Sequence, residues 1–253
     1  MSNKKRNRNN YNNTSHFTMV KRNFPEKLRD DHPFFGIKLD EDQINLRNNI
    51  WDKSIEAVFV DSPAGTGKSL VSIATSMLMC QYGRYSDIVY VMHPVGDPQG
   101  FLPGTITEKS SVYFESLYQS IQAVTKDWPQ KYIKNTSMTV EQNGTGFITA
   151  ITDTYLRGSN IGSETSPTIL IIDEAQNFPE FSLRKVLTRA CNGTKVIVIG
   201  HTLQCDLTTD QSGFARCQNH FKSKNDPRFA FCELHTCHRN IVAQIADEAW
   251  ENI

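Results

Sequence analysis

Between the apolar run Ala57-Val58-Phe59-Val60, which ends at Asp61, and the amphipathic stretch Lys68 to Tyr82 lies Ser62-Pro63-Ala64-Gly65-Thr66-Gly67-Lys68-Ser69-Leu70. A strand, a tight glycine loop and a helix in that order commit the chain to an α/β arrangement, because a buried strand followed directly by a helix returns to its sheet as a crossover. The loop is also chemically specific. Backbone N–H groups converge on phosphate oxygens only where the chain winds tightly, which Gly65 and Gly67 permit, and the following helix points its positive end at the same spot. Lys68 offers a charge to β- and γ-phosphates and Ser69 a hydroxyl to Mg²⁺, which is the Walker A pattern. Ser62 stands where that pattern has its first glycine. The expected ATP cradle is Ser62, Pro63, Ala64, Gly65, Thr66, Gly67, Lys68, Ser69 and Leu70.

Three further runs, Ile88 to Met92, Ile169 to Ile172 and Val196 to Ile199, read as buried strands, each β-branched or aromatic and too short for a helix. Strands apolar on both faces need helices on both sides. The periodic stretches Asp42 to Trp51, Lys68 to Tyr82, Val112 to Lys126, Phe181 to Cys191 and Arg239 to Trp250 supply them. Segment 129–167 is rich in Asn, Thr, Gly and Ser and offers one candidate strand near Phe147 to Ile151. The expectation is a single α/β domain over residues 31–253, with a mainly parallel sheet flanked by helices.

Charge divides the chain unevenly. The 253 residues carry 27 Lys and Arg against 27 Asp and Glu, yet residues 1–30 hold eight bases and only Glu26 and Asp30 as acids. The Asn-rich start has almost nothing apolar to bury, so residues 1–30 are expected to form a flexible basic tail, either a phosphate-attracting arm or a solvated extension. No run approaches the roughly 18–20 apolar residues that cross a bilayer, and the N-terminus lacks a hydrophobic signal core. A cytoplasmic protein with no membrane partner is expected, its six cysteines reduced. Cys232, His235, Cys237 and His238 lie close together but without a Cys-x₂-Cys pair, which favours free thiols over zinc. No Gly-x-Ser-x-Gly elbow occurs, so a serine hydrolase is set aside.

A phosphate loop alone binds nucleotide; hydrolysis also needs a carboxylate to hold the metal and a group to activate water. Ile169-Leu170-Ile171-Ile172-Asp173-Glu174-Ala175-Gln176 offers both at a strand's end. Asp173 suits the hold on Mg²⁺, and Glu174 can take the proton of an attacking water. ATP and Mg²⁺ are the expected cofactors.

Further segments extend the pattern: Asp173 through Asn177, then Leu187-Thr188-Arg189, Val198-Ile199-Gly200 and Gln204 with Asp206-Leu207. Gly100-Phe101-Leu102-Pro103-Gly104, Glu108-Lys109, Tyr113, Leu117 and Tyr118 add a second set, and Tyr155-Leu156-Arg157-Gly158 a third. Together, from Leu39 to Trp250, these resemble the PhoH-like family of ATPases. The resemblance implies a RecA-like P-loop NTPase domain related to superfamily 1 helicase cores, acting on RNA or single-stranded DNA and assembled as a homo-oligomeric ring. It implies that Gln43 reads adenine, that Gln204 senses the γ-phosphate, and that Arg157 or Arg239 reaches a neighbour's γ-phosphate. A plain surface role for Gln43 and salt bridges for the arginines are the alternatives. The chain departs from the family's pattern with His93-Pro94 for Arg-Pro, Gly200-His201 for Gly-Asp, and His238 at an arginine's place with Arg239 one residue later. These departures leave open a nucleotide-switched oligomeric scaffold with weak or no turnover, and the family association leaves open a coupled ribonuclease activity.

Overall fold

A computed structural model describes residues 24–31, 34–94, 112–125, 127–134, 146–156, 158, 160–205, 207, 212–242 and 245. Six strands, β1 Ala57–Asp61, β2 Asp87–Met92, β3 Ile148–Thr152, β4 Thr168–Ile172, β5 Thr194–Gly200 and β6 Phe229–Cys232, form one sheet in the order β3-β2-β4-β5-β1-β6. Every neighbouring pair is parallel, with Ala57 opposite Val196 and Tyr90 opposite Ile171. The helices are α1 Glu41–Trp51, α2 Lys68–Gln81, α3 Glu115–Val124, α4 Glu180–Leu187 and α5 Phe214–Ser223.

Successive strand residues point to opposite faces, so one apolar run feeds two cores. Val58, Val60, Ile169, Ile171, Ile197 and Ile199 pack with Leu46 and Ile50 of α1, Val71 and Met77 of α2, and Leu117 and Ile121 of α3. Phe59, Leu170, Ile172, Val196 and Val198 pack with Leu183 and Val186 of α4 and Phe214 of α5. With β5 lying between the phosphate-loop strand β1 and the acidic strand β4, the layout is that of a RecA-like α/β domain.

All four apolar runs are strands, and the candidate near Phe147 is β3. The helix expected over Val112 to Lys126 opens with a 3₁₀ turn, Val112–Phe114, and the one expected from Phe181 to Cys191 ends at Leu187. Of the helix expected over Arg239 to Trp250, most lies outside the described residues. Within the stretch expected to be a flexible tail, residues 24–31 are instead fastened to the domain. Phe24 stacks on Trp51 with centroids 4.2 Å apart, Trp51 Nε1 donates to Pro25 O at 2.9 Å, and buried Arg47 pairs with Asp30. Phe24 and Leu28, both packed against the core, anchor this largely polar stretch; residues 1–23 lie outside the described ones. Among the described residues no helix is long and apolar enough to cross a membrane.

Candidate nucleotide-binding site

In an all-parallel sheet the carboxyl ends of the strands share one edge, and the loops leaving that edge meet. There β1 gives way to the phosphate loop, and α2 starts at Lys68 behind Gly67, which is left-handed at φ 83°. Gly65 is left-handed too, at φ 81°. Both positions call for glycine through φ, and a Cβ would also displace side chains, lying 2.6 Å from Gln43 Nε2 at Gly67 and 2.7 Å from Arg239 Cγ at Gly65. Ser62 is not among the residues with positive φ. Its buried Oγ accepts the Leu234 N–H at 2.7 Å, and its own N–H donates to Gly200 O at 3.1 Å. The serine therefore ties the loop to the chain that leaves β6. Thr66 Oγ1 and Lys68 Nζ both donate to Pro63 O, at 3.0 and 3.1 Å. Burial pushes the Lys68 ammonium below its usual range, while Glu174 and Asp173 pull the other way.

Asp173, at the end of β4, is fully buried and ringed by donors. Its Oδ1 accepts Ser69 Oγ at 3.2 Å and the Glu174 N–H at 3.0 Å; its Oδ2 accepts Tyr90 Oη at 2.6 Å and Ser116 Oγ at 3.4 Å. Burial and the Asp173 charge hold the Tyr90 hydroxyl well above the ordinary tyrosine range, so it stays a donor. Glu174 is itself left-handed at φ 52°, a strained state for a side-chain-bearing residue. Its Oε2 accepts Gln176 Nε2 at 2.6 Å, and Gln176 Oε1 accepts the His201 N–H at 3.0 Å, which links β4 to the end of β5.

The donor chemistry fits Mg²⁺. Ser69 and Asp173 bring two hard oxygens together, and Mg²⁺ typically takes few protein ligands while keeping water and substrate phosphates. Among the described residues no three or more His, Cys, Asp or Glu gather to hold a metal by themselves.

Of the other expected site residues, Gln43 is buried, with both ends of its amide engaged. Its Oε1 accepts the Asp40 N–H at 3.2 Å and its Nε2 donates to Thr66 O at 2.9 Å, joining the capping box of α1 to the phosphate loop. Exposed Arg239 lays its stem over Gly65 of its own chain, beside a backbone bond from His238 N–H to Gly65 O at 2.9 Å. Pro63, Ala64 and Leu70 are half-buried in the loop and the first turn of α2. Gln204 is half-buried in the turn after β5, its N–H on His201 O at 3.2 Å. Arg157 lies outside the described residues, as do Gly100 to Gly104 with Glu108 and Lys109.

Two of the three departures, His93 and His238, have hydrogen-bond partners, while the buried Nδ1 of His201 has none among the described residues. His93 Nδ1 lies 2.9 Å from Asp153 Oδ1, and Lys185 Nζ donates to Asp153 Oδ2 at 3.0 Å. Burial works to raise the Asp153 pKa, yet hydrogen bonds from His93, Lys185 and Ser182 bring it down to about 2. His201 Nδ1 stands 3.6 Å from Asp61 Oδ1, which accepts the Thr202 N–H at 3.0 Å. His238 pairs with Asp40 at 2.8 Å and His235 with Asp42 at 3.0 Å, clasping the chain after β6 to the start of α1. Sequence reasoning missed Tyr90, Ser116 and Asp40. Tyr90 was detectable as the hydroxyl inside an apolar strand, and Asp40-x-x-Gln43 as a capping box.

Several known proteins are similar to this chain. Protein PhoH2 of Bacillus subtilis (strain 168) is 28% identical over 228 residues, 86% of this chain and 48% of that protein. A PhoH-like protein of Mycobacterium leprae (strain TN) is 32% identical over 152 residues, 59% of this chain and 40% of the relative. The chain thus spans about half the length of the curated relatives it matches. Among solved structures, the HK97 bacteriophage large terminase is a distant likeness, with TM-score 0.47 and 14% identity over 85% of this chain and 43% of that one. The PhoH-like protein family itself matches residues 38–251. Since that match runs from just ahead of α1 to beyond β6, this chain belongs to the PhoH-like family.

Proposed function

We propose that this chain is an Mg²⁺-dependent ATPase acting on RNA or single-stranded DNA. The observation that carries the reading is the 3.2 Å contact of Ser69 Oγ with Asp173 Oδ1, a hydroxyl from the first turn of α2 beside a carboxylate from the end of β4. Ser69 and Asp173 would hold Mg²⁺, which would supply positive charge to offset that of the phosphates. Lys68 exchanges the Pro63 carbonyl for phosphate oxygens, and the N–H groups around Gly65 and Gly67 line the cradle. Glu174, steadied by Gln176 at Oε2, is the carboxylate that receives the proton of an attacking water. Arg239, lying over its own loop, adds positive charge from within the same subunit. Gln204 reports the γ-phosphate from the turn after β5. Action on nucleic acid is supported by the helicase-related resemblance and by the eight bases of residues 1–30. A homo-oligomeric ring in the cytoplasm would supply the missing wall of a cleft built from one RecA-like domain.

A second reading, a nucleotide-held scaffold with little turnover, is favoured by one observation. His93, at a position the family gives to arginine, is committed to Asp153 at 2.9 Å.

Steady-state ATP hydrolysis with Mg²⁺, with and without single-stranded RNA or DNA, separates the two. Lys68→Ala and Glu174→Gln are each expected to lower turnover by about 10²–10⁴-fold, and one nucleic acid to stimulate the unaltered protein. ATP binding with no turnover above the Glu174→Gln background assigns the scaffold. Turnover that survives both substitutions overturns the site.

A further inference from the structure

We propose that Tyr90 and Ser116 are positioning residues for the metal: they hold Asp173 Oδ2 from the protein interior and so fix the carboxylate with Oδ1 beside Ser69. The inference rests on the reading of Asp173 as the metal-holding carboxylate.

A carboxylate at a strand's end can turn about its Cβ–Cγ bond unless both oxygens are held. Here the donors are divided between the two oxygens. Oδ1 takes Ser69 Oγ at 3.2 Å and the Glu174 N–H at 3.0 Å, both belonging to the nucleotide edge. Oδ2 takes Tyr90 Oη at 2.6 Å, from the neighbouring strand β2, and Ser116 Oγ at 3.4 Å, from the first turn of α3. Tyr90 is fully buried, and its ring meets Phe114 edge-on with centroids 6.2 Å apart, so the hydroxyl is held in place. Burying a tyrosine hydroxyl in an apolar core is costly unless it has a partner, and Asp173 is the partner provided. The pairing of Tyr90 with Ile171 in register, two residues before Asp173, brings that hydroxyl to this carboxylate. A phenylalanine would fill the same volume and leave Oδ2 short of its closest donor.

Outer partners that orient a metal-holding group are typically worth about 10- to 100-fold in metal affinity. The test is a manganese titration of the full chain with ATP, followed by electron paramagnetic resonance, beside binding of a fluorescent ATP analogue in EDTA. Tyr90→Phe is expected to weaken manganese binding by about 10-fold while metal-free nucleotide affinity is unchanged, and Ser116→Ala to shift it less, in the same direction. A merely structural tyrosine would move both affinities together or neither, and either result overturns the proposal. If Tyr90→Phe fails to fold, the same titration on Ser116→Ala decides, an unchanged manganese affinity sinking the idea. Asp173→Asn separates the two levels of the argument. If it leaves manganese binding intact, the metal reading of the site fails; if it weakens binding while Tyr90→Phe does not, only the positioning role fails.

Discussion

Ser62 reads as a defect in a glycine pattern and is instead a fastening. Its backbone does not need positive φ, so a side chain costs nothing there, and the hydroxyl holds the N–H of buried Leu234. Ser62→Ala is expected to leave that N–H unpaired and to destabilise the domain by about 1–3 kcal/mol, read by urea unfolding, with the phosphate loop still able to bind nucleotide. Gly67→Ala is different in kind, since its Cβ would collide with Gln43 Nε2 and the residue would sit at φ 83°. Residue types in the loop were legible because the phosphate chemistry dictates them. The partner of Ser62 was not, because it lies 172 residues away in sequence and nothing local marks it.

At the level of elements, the central strands were legible because their runs are apolar on both faces. Edge strand β6 has four residues and, among the described residues, pairs with β1 alone, too short a run to stand out, whereas α5 went unread although Phe214, Cys217 and Phe221 recur at helical spacing and pack on the core. Strand β5 hides one polar residue in its apolar run. Lys195 is 1% exposed and donates to Asp52 O at 2.7 Å and Ile55 O at 2.6 Å, tying the end of α1 to the approach of β1. Burial, reinforced by Arg84, pushes its ammonium down to about 7 from 10.5. The unfolded chain therefore binds more protons than the folded one between these values, and folded stability rises with pH across that window. A neutral amine still has two N–H groups, enough for both carbonyls. Denaturant unfolding of the unaltered protein should show this rise from about pH 7 to 10, and Lys195→Met should lack it; parallel pH curves for the two would contradict the assignment.

Over the whole molecule, the domain is larger than the alternation of strands and helices implies, because residues 24–31 strap α1 from outside. The stack of Phe24 on Trp51, 4.2 Å between centroids, is worth about 1 kcal/mol beyond buried area. In a chain of this size that shifts the melting temperature by about 2–4 °C. Phe24→Ala is expected to lower it by at least that much in calorimetry, and an unchanged transition would mean the strap contributes nothing. The basic composition of the first 30 residues concealed the strap, since Phe24 and Leu28, set among charges, leave no periodic trace. The sheet order has a consequence for how the protein is made. β1 is made before both its neighbours, β5 and β6, which begin only at Thr194 and Phe229. Until then the strand that carries the phosphate loop has two bare edges, the condition in which nascent chains stick to one another. The loop after β1 can therefore take its place beside Asp173 in the sheet only once Thr194–Gly200 has been made, so an assembled site would report that the whole domain has folded.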